Sequence, residues 1–303
     1  MKVSVVIPTH NRPAGLQDAL ASLLKQTVLP DEVVVVDDGS QEPVPKTIFD
    51  FFPAEVEVKL LRNEKPMGGN NARNRGVLAS TSDYIAFLDD DDAFKPNKIE
   101  ELKKAILDGV NADIIYHPAH IHMINEGVSY FSKPKIFKEG EDIFRKLLLE
   151  NVIGGTPMVT IKRQSLVDVG LFDEEMPALQ DYELWLRMAK AGASFYYVDK
   201  ALTDYEQRSK AKSITKNDDA IRKARMLLDK KYFNDLSGDD VRKLKFSRMK
   251  ADVLRALLNG DMRHSFNLSM RYFMLTKKIH FMLTALASML GRKLFFKVYV
   301  IVR

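Results

Sequence analysis

The sequence predicts an α/β fold: a doubly wound, mostly parallel sheet continued by a helical C-terminal region. Three observations carry that expectation. Short apolar runs rich in β-branched residues, at 3–7, 33–36 and 84–88, alternate with helix-spaced apolar residues. Each run stops at a turn or at acids, where open α/β sheets place their ligands. From about residue 215 onward the pattern is helical and basic.

Taken in order, residues 3–7 form a strand closed by Pro8. Leu16, Ala19, Leu20, Leu23 and Leu24 then recur at the spacing of an amphipathic helix, with Asn11 as the expected N-cap and Pro13 in the first turn. Residues 33–36, four valines, make the second strand and end at Asp37-Asp38-Gly39-Ser40. Residues 56–61 alternate apolar with charged side chains, as an edge strand does. Gly68-Gly69-Asn70-Asn71 opens a helix through Arg73, Gly76 and Val77. The strand at 84–88 follows, then a helix at 99–107. Beyond it the pattern gives a strand at 113–116, a helix at 142–149 and a turn-rich break at Gly154-Gly155-Thr156-Pro157. A strand at 158–161, a helix at 181–190 and a late strand at 195–198 complete this half.

The strand at 84–88 ends in Asp89-Asp90-Asp91-Asp92. Four adjacent carboxylates repel one another unless water or a cation neutralises them. Oxygen donors of this kind suit Mg²⁺ or Mn²⁺ shared with a phosphate-bearing substrate; a solvated acidic turn is the bland alternative. Asp37-Asp38-Gly39-Ser40 alone reads equally as an Asx-type turn. Arg73 and Arg75 follow two glycines at a helix start, where guanidinium groups and backbone N–H groups bind anions. No Gly-Lys-Ser/Thr is present, which excludes a P-loop.

Taken together, residues 5–12 (Val-Val-Ile-Pro-Thr-His-Asn-Arg), 36–40 (Val-Asp-Asp-Gly-Ser), 72–76 (Ala-Arg-Asn-Arg-Gly), 87–92 (Phe-Leu-Asp-Asp-Asp-Asp) and 180–187 (Gln-Asp-Tyr-Glu-Leu-Trp-Leu-Arg) resemble the family 2 glycosyltransferases. The resemblance covers roughly residues 1–210. It implies the GT-A fold and transfer with inversion at the anomeric carbon. It implies an Asp-X-Asp element at Asp89-Asp90-Asp91, with Asp91 on the metal, Asp89 or Asp90 on the donor's sugar or ribose, and Asp92 behind them or as a helix-side cap. It places Asp38 on the uracil N–H and the Pro8-Thr9 turn around the nucleoside. Asn11 and Arg73 are expected at the same nucleotide-sugar site, Arg73 facing the diphosphate or the acidic cluster while Arg75 is a solvated helix charge. Asp181 occupies the position of the catalytic base, with Gln180 where many members carry Glu; helix capping is its plain alternative. Trp185, one turn on, stacks on an acceptor sugar or fills the core. Arg208, Lys210 and Lys212 fall in the segment that closes over the donor in relatives.

The domain expectation is therefore 1–109 for nucleotide-sugar binding, 110–210 for the acceptor side and base, and 211–303 as a basic helical region. The expected reaction moves a sugar from a nucleotide-sugar donor, UDP-linked, to a glycan or lipid-linked acceptor in cell-surface polysaccharide synthesis. A sugar-nucleotide sensor would lack the base that Asp181 supplies. A nucleotidyltransferase would want a Gly-rich, Lys-bearing first loop, and Pro8-Thr9-His10-Asn11 is not that.

Composition bounds the rest. The 303-residue chain has no cysteine, which excludes disulfides and thiolate metal sites. Its N-terminal apolar stretch is too short for a signal peptide, and no run approaches the roughly 18 apolar residues of a membrane span; a cytoplasmic location is expected. Residues 241–303 hold 14 Lys or Arg against only Asp252 and Asp261. Residues 262–303 mix these cations with Phe, Leu and Met, as helices lying on an anionic membrane do. Peripheral contact with the inner face of the cell membrane is expected there, ordinary helix packing being the alternative. No base-stacking motif accompanies the charge, so nucleic acid is not an expected partner. The spacing of His10, His117, His120 and His122 fits no closed zinc site and no cysteine helps, so they are expected as surface or strand histidines, an acceptor contact being the alternative.

Overall fold

The computed structural model describes residues 1–207 and 217–302, with side chains to residue 297. A seven-stranded sheet is built from β1 (Val3–Thr9), β2 (Glu32–Asp37), β3 (Glu57–Arg62), β4 (Tyr84–Phe87), β6 (Ile114–Tyr116), β9 (Val159–Lys162) and β10 (Phe195–Tyr197). Its order is β10-β6-β9-β4-β1-β2-β3. β9 runs antiparallel to both neighbours and the other pairs are parallel, so the expected mostly parallel sheet is present, with β3 at its edge.

Valine runs form the centre because both faces of those strands are covered. Val6, Val34, Val36, Ile85 and Phe87 pack to one side with Ala72 and Val77 of α2 (Gly69–Ala79) and Leu184, Trp185 and Met188 of α6 (Gln180–Lys190). Val3, Val5, Ile7, Val33, Val35 and Leu88 pack to the other with α1 (Pro13–Leu24) and α3 (Lys98–Leu107). The period-2 alternation of the strands thus feeds two cores, which is what doubly wound means physically. Two glycines let helices approach closely. A Cβ on Gly76 of α2 would lie 2.4 Å from Val6 Cγ1, and one on Gly15 of α1 would lie 2.2 Å from the Asp90 carbonyl oxygen.

A second sheet, in the order β5-β11-β7-β8, joins β5 (Ala93–Phe94), β7 (Ala119–Met123), β8 (Val128–Phe131) and β11 (Thr203–Gln207). Sequence patterning missed this sheet, since none of these strands contains a long apolar run. Two short helices, α4 (Ile143–Leu149) and α5 (Arg163–Asp168), flank the middle of the chain.

One expected cap is corrected. α1 is capped at Arg12 without a side-chain bond, and Asn11 precedes it in the left-handed region, at φ 55°. Asn11 instead ties β1 to the turn after β2: its backbone N–H donates to Ser40 Oγ at 2.9 Å, and its side-chain oxygen accepts from the Gln41 N–H at 2.8 Å.

The C-terminal region is helical as expected: α7 (Asp218–Tyr232), α8 (Gly238–Asn259), α9 (Met262–Thr276), α10 (Ile279–Met289) and α11 (Arg292–Val302). α7 buries Ile221, Ala224, Leu228 and Tyr232 in the same core as the sheet. α8 starts with a Ser237–Asp240 capping box, and Arg145 of α4 ion-pairs with Asp240 at 3.0 Å. On α10, Ile279, Leu283 and Leu286 are exposed, as is Leu290 at its C-terminal cap. Among the described residues no helix is long and apolar enough to cross a membrane.

Candidate active site

The acids at the end of β4 sit between the first turn of α1, the start of α2 and β11. Arg73 of α2 donates to Asp89 Oδ1 at 2.6 Å, and its guanidinium lies 5.8 Å from the centre of the Phe172 ring. Thr9 Oγ1 donates to Asp90 Oδ2 at 2.8 Å, so the tip of β1 holds the second acid. Arg12 donates one nitrogen to both Asp90 and Asp91, at 2.9 and 2.8 Å. Asp92 is buried: Oδ1 accepts from the Glu206 N–H at 3.0 Å, while Oδ2 has no hydrogen-bond partner among the described residues. Burial pushes the Asp90, Asp91 and Asp92 carboxyls up, and the charges of neighbouring acids add to it, most strongly at Asp92.

Donor oxygens of Asp89, Asp91 and Asp92 all lie within 4.8 Å of one another. Three carboxylates that supply hard oxygen donors, one of them (Asp92) carrying a buried oxygen without a partner among the described residues, fit a divalent cation of the Mg²⁺ or Mn²⁺ type. Asp91 and Asp92 therefore belong to the same donor set, and Asp92 caps no helix. Behind it lies Lys98, fully buried, its Nζ bonded to the Pro157 carbonyl at 2.7 Å and burial driving its pKa well down.

Asp38 is buried after β2. Its Oδ1 accepts from Asn63 Nδ2 at 2.6 Å and the Met67 N–H at 2.8 Å, and Oδ2 accepts from the Gly68 N–H at 2.7 Å. This carboxylate anchors the loop that leads into α2, and since a carboxylate has about four acceptor sites it retains capacity for one further N–H. Asp37 turns inward to Ser40, Val44 and Arg62. Gly39, at φ 68°, permits the turn, because a Cβ there would lie 2.6 Å from the Lys65 carbonyl carbon. Arg75 is occupied with Asn63 and the Arg62 carbonyl, apart from the acids. Pro8, Thr9 and Asn11 line the end of β1, and beside Thr9, Asn11 and Arg12 opens a cleft of about 1030 Å³ between α1 and residues 40–51.

Asp181 is the second residue of α6, following Leu179, which caps the helix in the left-handed region at φ 57°. It therefore is not the helix cap. Its Oδ1 accepts from the Tyr182 N–H at 2.7 Å. A Cβ placed on Gly155 would lie 3.6 Å from Asp181 Oδ2, and the neighbouring Thr156 hydroxyl reaches Asp89 Oδ2 at 3.5 Å. The Gly154-Gly155-Thr156 break thus spans from Asp181 to the acidic loop. Asp181 keeps partial solvent exposure but is closely surrounded by protein. Burial raises its pKa to about 6, with Asp89 adding to the rise and Arg73 opposing it.

Trp185 is a correction. It is 0% exposed within the main core, and its indole N–H donates to the Gly154 carbonyl at 3.0 Å. No ring face is available to a sugar; its part is to hold the 154–156 break. Sequence reasoning also passed over Arg12, Thr156 and Tyr205. Tyr205 is half-buried near Asp92, Asp89, Asp91 and Asp181, and desolvation of its hydroxyl together with those charges drives its pKa well up. Arg12 stood in plain view within residues 5–12, while Thr156 and Tyr205 reach the site only through the fold. Arg208, Lys210 and Lys212 lie outside the described residues.

Acids clustered after a central strand of a mostly parallel sheet, with Asp181 close to Asp89 and Arg73, suit a sugar-transfer enzyme, and the known proteins similar to this chain are glycosyltransferases. The sequence profile described as Glycosyl transferase family 2 matches residues 4–168. An uncharacterized glycosyltransferase of Haemophilus influenzae is 35% identical over 224 residues, 73% of this chain and 74% of that protein. The amylovoran biosynthesis glycosyltransferase AmsB of Erwinia amylovora is 28% identical over 67% of this chain and 68% of its own length. Among solved structures, Staphylococcus aureus TarS residues 1–349 in complex with UDP-GlcNAc aligns with a TM-score of 0.62 at 23% identity, over 90% of this chain and 81% of that one. The chain belongs to glycosyl transferase family 2, with the GT-A fold and a C-terminal helical region.

Proposed function

We propose that this glycosyltransferase moves a sugar from a UDP-linked donor to a hydroxyl of a glycan or lipid-linked acceptor, with inversion. The observation that carries the reading is Asp181, a carboxyl raised to about 6, set close to the Arg73–Asp89 pair and joined to it by the Gly155–Thr156 segment. Asp181 accepts the proton of the acceptor hydroxyl as that oxygen attacks the anomeric carbon. The bond from that carbon to the nucleoside diphosphate breaks on the opposite face, which inverts the centre. Asp91, with Asp89 and Asp92, would hold Mg²⁺ or Mn²⁺, which when bound supplies Lewis-acid stabilisation of the departing diphosphate. Arg73 holds Asp89 in place and brings positive charge to the same end of the cleft. Asp38 and the Pro8–Thr9–Asn11 edge receive the nucleoside, and Asp90, fixed by Thr9, faces the ribose or sugar.

The exposed apolar stripe of α10, bracketed by Lys277, Lys278, Arg292 and Lys293, supports work at an anionic membrane surface, where a lipid-linked acceptor would be presented. The relation to a polysaccharide-synthesis enzyme supports the acceptor class.

Calorimetric titration of UDP, with and without Mn²⁺, tests the donor site. Mn²⁺-dependent binding that disappears in Asp91→Ala is the expected result. Equal binding in the variant would overturn the metal assignment at Asp91, and no UDP binding under either condition would overturn the uridine assignment.

A further inference from the structure

We propose that His120, His122 and Asp204 form a second metal centre, suited to Zn²⁺ or a similar borderline transition ion. The inference stands independently of sugar transfer. His120 and His122 lie two apart on β7, so their rings leave the same face of the sheet. Asp204 of β11 is the cross-strand partner of His120 in register. Its Oδ1 lies 2.7 Å from His122 Nε2 and 3.4 Å from His120 Nδ1, and the three donor atoms fall within 4.8 Å of one another.

The surroundings hold these groups in place. Phe131 of β8 pairs with His120 across the strands and stacks on its ring, with centroids 4.6 Å apart and planes 19° apart. Lys95 Nζ takes the other oxygen of Asp204 at 2.8 Å, leaving Oδ1 turned toward the imidazoles. The three side chains are 22–32% exposed, so an ion arrives from solvent and keeps room for water as a further ligand. Two nitrogens and one carboxylate oxygen match the donor preference of zinc, whereas the all-oxygen set at Asp89, Asp91 and Asp92 suits a hard cation. The two centres lie on different sides of β11. Tyr205 turns toward the acids, while Asp204 turns away to the histidines. A bound ion would clamp β7 to β11, the strand whose Glu206 N–H holds Asp92.

The test uses the full chain without a polyhistidine tag, titrated with Zn²⁺ by calorimetry and with Co²⁺ by visible absorption, both in excess Mg²⁺. One equivalent of Zn²⁺ per chain and a saturable Co²⁺ spectrum are expected, in the native chain and in Asp91→Ala alike. His120→Ala with His122→Ala should weaken Zn²⁺ binding by at least about tenfold. The near-isosteric His122→Asn, checked for native folding by circular dichroism, should weaken it in the same direction. Absence of saturable Zn²⁺ binding, or binding unchanged in a folded His122→Asn and in the double variant, would overturn the centre.

Discussion

At the scale of single residues, Asp181 is both the base of the proposed reaction and a misfit in its surroundings. Its carboxyl is raised to about 6, chiefly by burial. A base acts only when deprotonated, so the rate is expected to fall as pH drops through about 6, giving an acid limb measurable in initial rates under saturating donor. Asp181→Asn should remove that limb and lower kcat by roughly 10²–10⁴, while UDP binding persists; a variant retaining full kcat would refute the role. The same shift has a stability sign. Between an unfolded carboxyl value of about 3.9 and about 6 the folded chain binds more protons, so this group's contribution declines as pH rises through that window. Asp91 and Asp181 could be located from the sequence because short motifs fix them on a strand end and a helix start. The buried face of Trp185 could not: helical spacing puts it one turn from Asp181, but only the docking of α6 turns its indole toward Gly154.

Elements follow the same division. Strands with valine runs announce themselves, since a sheet covered on both faces needs continuous apolar sequence. The β5-β11-β7-β8 sheet does not, because polar and charged side chains such as His120, His122, Asp204 and Glu206 break its apolar runs. Close approach of elements is equally hidden, yet it sets the geometry of the site. Gly15→Ala gains helix propensity of up to about 1 kcal/mol, but its Cβ would meet the Asp90 carbonyl at 2.2 Å. Backbone displacement costs more than that gain, typically about 1–3 kcal/mol, so the melting temperature should fall. Metal-dependent UDP binding should weaken with it, because the displaced group belongs to the acidic loop. Gly76→Ala meets Val6 side-chain atoms instead and should lose stability with little change in UDP affinity. Thermal melts paired with calorimetry separate the two outcomes, and unchanged UDP binding in Gly15→Ala would refute the coupling.

Across the whole molecule, the charge asymmetry was readable from composition, whereas the packing of α7 across the boundary expected near residue 210 was not. α7 fills the same core as the sheet with Ile221, Ala224 and Leu228, so the first helix past that boundary shares the catalytic core. The exposed stripe on α10 leads to a prediction at this scale. The chain should co-sediment with vesicles containing anionic lipid, less so at high salt. Leu283→Glu with Leu286→Glu should reduce the bound fraction severalfold without altering UDP binding. Equal recovery with neutral and anionic vesicles would remove the electrostatic part of the reading.

Arg12 connects these scales. It bonds to Asp90 and to Asp91, and Asp91 Oδ2 is the atom it holds at 2.8 Å. Loading a divalent cation onto Asp91, as proposed, would be an exchange between counter-ions, in which a tethered monovalent group is traded for a free divalent one. The loop's apparent affinity for such a cation would then be a selectivity ratio, set as much by how firmly the guanidinium holds as by the carboxylates themselves. The displaced arginine would stay attached to the start of α1, a tethered positive charge beside the cleft between α1 and residues 40–51.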